Sequence, residues 1–280
     1  MYDMRDADAA ASDAAVGDAA WNAPGRLPRA PSMGLLLTEP ARSLADLVTL
    51  PLAASWLSFA PRGDGHGVLV LPGLLASDSS TLVLRRFLRL LGYQVHGWDL
   101  GRNLGPTDEV LDGLPARLAT LASLTGRPVS VIGWSLGGIY ARELARQRPA
   151  QVRRVITLGS PFALTDGRQS HADRAYQRRS RLHSSDRVPT REQVSQPIGV
   201  PSTAVYSRRD GIVSWRVCVE PTTDLHQNVE VRCAHLGFGV DPATLWLIAD
   251  RLAVPAGERP QFRPPAPLRS LYPVRDKREE

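Results

Sequence analysis

Gly133-Trp134-Ser135-Leu136-Gly137 sets a serine between two glycines at the end of the apolar run VSVIGWS. A serine hydroxyl is a weak nucleophile near neutral pH. It needs a base to take its proton, and the base needs a partner to hold its tautomer. Glycine two residues to either side leaves room for a sharp strand-to-helix turn with Ser135 at its tip, and the helix N-terminus behind favours negative charge there. In an elbow of this kind an acid and then a histidine follow the serine, each just after a later strand. Asp210 follows STAVYSRR, and His235 follows NVEVRCA and precedes a loop holding Gly237 and Gly239. The chemistry expected is acyl transfer through Ser135, with His235 as base and then acid and Asp210 orienting it. The oxyanion would be met by the backbone N–H of Leu136 and by one from the loop LPGLLAS. Pro72 has no N–H, so Leu74 is the candidate, with Gly73 letting the chain turn inward.

Other readings of the same residue types are weaker. Asp210 lies in Arg-Asp-Gly, a good turn tripeptide, which leaves Asp224 and Asp241 in reserve. His226 is the rival of His235, in a polar stretch before the strand. His66, His96, His171 and His183 stand outside the expected position and read as solvated or capping residues. Cys218 and Cys233 are too few for a metal site, and a disulfide between them is the pairing left open; if unstrained it would stabilise by roughly 3 kcal/mol.

These residues need strands to end beside one another. GVLVLPG (67–73), YQVHGWD (93–99), PVSVIGWS (128–135), VRRVITLGSPF (152–162), STAVYSRRD (202–210) and NVEVRCAH (228–235) read as strands. Helical spacing separates several of them, at 79–92, 108–126 and 136–149, and again at 241–253. Strands that are apolar on both faces and alternate with helices predict a mainly parallel central sheet flanked by helices, in one α/β domain over 33–255. Residues 33–60 suggest one helix or two split at Pro51. The polar, basic interval 163–200 breaks the rhythm and is expected to be a cap or lid. Residues 1–32 are Ala/Asp/Pro-rich and expected to be disordered, and the Pro/Arg-rich tail 256–280 to be exposed wrapping or disordered.

The 280 residues carry a net charge of +6, and Lys277 is the only lysine. No zinc-finger spacing, aromatic–basic RNA motif or helix-turn-helix pattern accompanies the charge, so no nucleic-acid partner is expected. The most apolar window, 41–60, contains Arg42, Asp46 and Pro51 and falls short of a spanning helix. A packed helix is the plainer reading of it, and peripheral membrane contact through it or through the basic cap is the sharper one. The acidic N-terminus lacks the basic and apolar regions of a signal peptide, which points to an unexported, cytoplasmic chain.

Over residues 65–255 the chain resembles the lipases and esterases of the α/β-hydrolase superfamily, in a compact bacterial form. VLVLPGLLASDSS, GWSLGG, TLGSPF, YSRRDGIV and AHLGFG carry the resemblance. It implies an α/β-hydrolase fold and cleavage of carboxylic esters through an acyl-serine, with no metal or cofactor. The substrate implied is a small-molecule or lipid ester. Many relatives open the oxyanion loop with His-Gly where this chain has Pro72-Gly73; a backbone donor survives that change. Leu74, Leu75, Trp134, Leu136 and Phe238 would favour an apolar acyl group. Alternatives stay open: an acyltransferase using the same triad, an idle scaffold that only binds, and peptidase, haloperoxidase or thioesterase activity on the same fold.

Overall fold

The computed structural model describes residues 28–163, 168–182 and 187–273. Most of the N-terminal stretch expected to be disordered, His183 and the end of the tail lie outside the described residues. Six strands, β1 (Gly67–Leu71), β2 (Gln94–Gly97), β3 (Val129–Trp134), β4 (Val152–Leu158), β5 (Ser202–Ser207) and β6 (His226–Val231), form one sheet. All its pairs are parallel, in the order β2-β1-β3-β4-β5-β6. Successive strand residues point to opposite faces, and the core divides accordingly. Val68, Val70, Ile132, Ile156 and Val205 share one core with helices α1 (Met33–Leu57), α2 (Leu82–Leu90) and α7 (Pro242–Ala253). Leu69, Leu71, Val129, Val131 and Val155 share the other with α3 (Asp108–Thr125) and α4 (Leu136–Gln147).

Because every strand runs the same way, the loops after β1, β3, β5 and β6 open on one edge of the sheet. The chain leaves β1 toward one face and β3 toward the neighbouring other face, which opens a crevice between their C-terminal ends.

Helix α1 runs unbroken through Pro40 and Pro51 from its cap, Ser32, whose Oγ accepts from Leu35 N at 3.3 Å. An internal proline costs roughly 3 kcal/mol. Burial of Ala53 and Leu57, with Trp56 tilted on Trp246 at 5.8 Å, is an offset of similar size for the second one. Over its first half the helix turns charge, not apolar surface, toward the domain. Leu37, Leu44, Val48 and Leu52 face outward. Its three charged residues, Glu39, Arg42 and Asp46, all turn toward the domain. Among the described residues no helix is long and apolar enough to cross a membrane.

The interval between β4 and β5 carries α5 (Asp173–Leu182) and α6 (Arg191–Ser195), the latter started by a reciprocal Thr190–Gln193 capping box. Its base is stitched to the loop after β5: Ser170 bridges Val213 antiparallel, and Ser214 N donates to Gln169 O at 3.0 Å. The buried Arg142 of α4 donates to Glu220 at 2.8 Å and to Gln196 O, just after α6, at 3.1 Å. Past α7 the tail folds back: Leu268 and Tyr272 are buried, and Tyr272 donates to Ala243 O at 2.8 Å.

Candidate active site

Ser135 sits between β3 and α4 with φ 53° and ψ −121°, a backbone conformation that costs a non-glycine residue about 1–3 kcal/mol. The surroundings impose it. A Cβ on Gly133 would come within 2.3 Å of Gly137 O, and one on Gly137 within 2.4 Å of Leu71 O. Helix α4 is therefore pressed against the ends of β1 and β3 so closely that only glycine fits at either contact. Ser135 N donates to Leu158 O at 2.8 Å, which ties the turn to the next strand. The hydroxyl is left at the tip, partly exposed.

Two donors flank it. Leu136 is the first residue of α4, where N–H groups have no partner inside the helix. Leu74 follows Gly73, which packs on Ser135 so that a Cβ there would lie 3.2 Å from the serine Cβ. Neither N–H meets an acceptor among the described residues. Asn103 holds the loop: Leu75 N donates to its carbonyl at 2.7 Å, and its amide donates to Pro72 O at 2.9 Å. Leu75 thereby takes φ 62°.

Asp210 and His235, after β5 and β6, meet at 2.6 Å through Oδ2 and Nδ1, and both are buried. Asp210 Oδ1 accepts from Ile212 N at 2.8 Å and Val213 N at 2.7 Å, so the carboxylate is fixed at both oxygens. A hydrogen bond from Nδ1 to a carboxylate leaves Nε2 as the proton acceptor. Burial alone would lower the His235 pKa; the charge and hydrogen bond of Asp210, with the charge of Glu39, outweigh it and hold the imidazole above 6.5. The Ser135 hydroxyl makes no hydrogen bond with a described residue, and in serine catalysis that contact commonly closes only around substrate.

A cleft of about 280 Å³ opens on Ser135 against the interval between β4 and β5. Leu74, Leu136, Ile139, Pro161, Val194 and Val213 give it an apolar wall, and Tyr176 of α5 lies over it. Three residues expected to line a substrate pocket do not line it. Trp134 is in the core, its indole donating to His235 O at 3.1 Å. Phe238 is fully buried with its ring edge-on to His235 at 6.1 Å. Leu75, turned by its positive φ, faces solvent. The open disulfide also fails. Cys218 and Cys233 are free buried thiols in separate apolar clusters, Cys218 beside Ser214 O and Cys233 beside Thr244.

The reserve residues have other partners. His226 opens β6 and contacts Ile198 O at 2.8 Å, while Asp241 caps α7 through Thr244 N at 2.8 Å. Asp224 lines a small surface dent away from Ser135. Among the described residues no three His, Cys, Asp or Glu side chains gather as a metal cage.

Residue-type reasoning missed two groups. Glu39, buried on α1, accepts from Gly211 N and from Leu236 N, both at 3.0 Å. Asp46, one face-repeat further along, accepts from Ala234 N at 2.9 Å. The signal was present: charges at 39, 42 and 46 inside an otherwise apolar helix mark one face that must find polar partners.

No family model matches the sequence, and no curated protein matches it either. Solved structures do resemble it. Aspergillus fumigatus lipase B superposes with a TM-score of 0.52 at 15% identity, over 69% of this chain and 53% of the lipase. The chain thus spans about half the length of that protein. A structure of the pyrethroid hydrolase PytH with BIF superposes with a TM-score of 0.50 at 18% identity, over 69% of this chain and 99% of the other. With its all-parallel six-stranded sheet flanked by helices, and with these structures superposing on it, this chain has the α/β-hydrolase fold.

Proposed function

We propose that the protein is a serine hydrolase that cleaves carboxylic esters with an apolar acyl group. Ser135 is the nucleophile, His235 the base and then the acid, and Asp210 the residue that orients it. The observation that carries the reading is the strained Ser135, opening on an apolar cleft between two unpartnered N–H groups. The buried Asp210–His235 pair, after β5 and β6, supplies the rest. Both structural neighbours, a lipase and a pyrethroid hydrolase, are in keeping with this reading.

The reaction runs in two balanced halves. Ser135 Oγ bonds to the acyl carbon as its proton passes to His235 Nε2, and the oxyanion accepts from Leu74 N and Leu136 N. Collapse breaks the ester C–O bond, and the alcohol leaves with the proton from the imidazolium. Water then attacks the acyl-serine, giving its proton to His235, and Ser135 departs with that proton restored. A cleft of about 280 Å³ is small for a ligand site and favours short to medium acyl chains.

Hydrolysis of p-nitrophenyl esters from acetate to palmitate, on wild type and Ser135→Ala, tests this. The expected result is a maximum at short to medium chains, abolished in the variant. Activity that survives in Ser135→Ala overturns the mechanism. Acyl transfer to an added alcohol without hydrolysis would make the protein an acyltransferase instead.

A further inference from the structure

We propose that α1 clamps the catalytic base: Glu39 is a positioning residue that holds the Asp210 and His235 loops in register, with Asp46 as its second point of attachment. The proposal deepens the hydrolase reading and rests on it. Seven residues separate the two carboxylates, almost two helical turns, so they project from one face of α1. Between them they take the N–H on each side of His235, Ala234 through Asp46 and Leu236 through Glu39, at 2.9 and 3.0 Å. The other Glu39 oxygen takes the N–H of Gly211, the residue after Asp210, at 3.0 Å. One carboxylate thus spans the two loops whose separation sets the Asp210–His235 hydrogen bond. Arg42 reinforces the span by pairing with Glu39 at 2.7 Å and donating to Arg209 O.

The glycines of both loops are an independent mark of the same approach. A Cβ on Gly211 would meet Leu35 O at 2.4 Å and Glu39 Oε2 at 2.6 Å, and one on Gly237 would meet Asp46 Oδ2 at 2.0 Å. The chain keeps side chains out of the two places where α1 presses on the loops. N–H groups given to a carboxylate form the stronger, charge-assisted kind of hydrogen bond. The charged groups facing this joint are Asp210 from the β5 loop, Glu39, Arg42 and Asp46 from α1, and Asp241 at the start of α7. The Glu39 charge also supports a protonated His235, so its loss should move the base as well as loosen it.

Two variants separate geometry from charge. Glu39→Gln keeps the size and removes the charge; Glu39→Asp keeps the charge and is too short to span both loops. The readouts are kcat and KM for a short-chain p-nitrophenyl ester against pH, and the His235 imidazole titration by NMR. Glu39→Gln should lower the titration midpoint of His235 and the acid limb of kcat/KM together. It should also cost roughly tenfold in kcat with KM little changed. Glu39→Asp should lose kcat while the midpoint stays near wild type. Folded Glu39→Gln with an unmoved midpoint and full kcat would overturn the proposal. So would a Glu39→Gln that does not fold beside a Glu39→Asp with full kcat, since Glu39 would then serve folding alone. A wild type that hydrolyses no ester sinks the hydrolase reading, and the NMR midpoint still decides the clamp.

Discussion

The two halves of the site are built by different means. The half around Ser135, the proposed nucleophile, is local: β1, β3 and α4 meet through backbone, and the glycines at 133 and 137 are the contacts themselves. The half around Asp210 and His235, the proposed acid–base pair, is assembled from a distance. Asp210 is fixed by the N–H groups of 212 and 213, in a loop stitched to the interval between β4 and β5. Glu39 and Asp46 of α1 hold the backbone around His235 from far upstream in the chain. A close-packed turn has almost no slack, whereas a loop held by side-chain carboxylates can be loosened, or retuned by pH, without disturbing the sheet.

That difference can be broken at either side. Ser135→Ala removes the proposed nucleophile and should cost on the order of 10⁶ in kcat, read with the best p-nitrophenyl ester. Asp210→Asn should cost about 10⁴ in kcat by losing the tautomer and the charge that support His235. Because that charge holds His235 above 6.5, the wild-type acid limb of kcat/KM should lie above that pH and fall in Asp210→Asn. Gly137→Ala attacks the packed half: its Cβ would strike the Leu71 carbonyl, and overpacking of this kind costs about 1–3 kcal/mol. Calorimetry should show a lower melting temperature, with kcat falling in step as the elbow shifts.

Asp46→Asn probes the adjustable half and should have the smallest effect. Burial, opposed by the Ala234 N–H and helped by the charges of Asp241 and Glu39, raises the Asp46 carboxyl from 3.8 to about 6. A carboxyl raised on folding contributes stability that is complete below 3.8 and lost as pH rises through about 6. Wild type should therefore lose melting temperature relative to Asp46→Asn across that window. A constant difference from pH 3 to 8 would show that Asp46 does not titrate in the folded protein.

The same division explains what could be read from sequence. The tight strand-to-helix turn at Ser135 was legible because its glycines stand within two residues, and the apolar run before it and helical pattern after it are local too. The meeting of Asp210 with His235 was legible through chain order and strand ends. The carboxylates on α1 were not, because nothing within a few residues of 39 or 46 says which backbone they will meet. Trp134 and Phe238 misled for a related reason: residues beside a reacting serine or histidine alternate between pocket and core, and the strand's period of two sent Trp134 inward. The cysteines were equally ambiguous, since their spacing does not reveal that one packs with Tyr206 and Val217 and the other against α7.

The most direct test is intact-protein mass spectrometry after treatment with a fluorophosphonate, with peptide mapping of the adduct, on wild type and His235→Ala. The account predicts a single adduct on Ser135 in wild type and a loss of labelling in the variant. An unlabelled wild type, an adduct elsewhere, or labelling of Ser135 at full rate without His235 would contradict it.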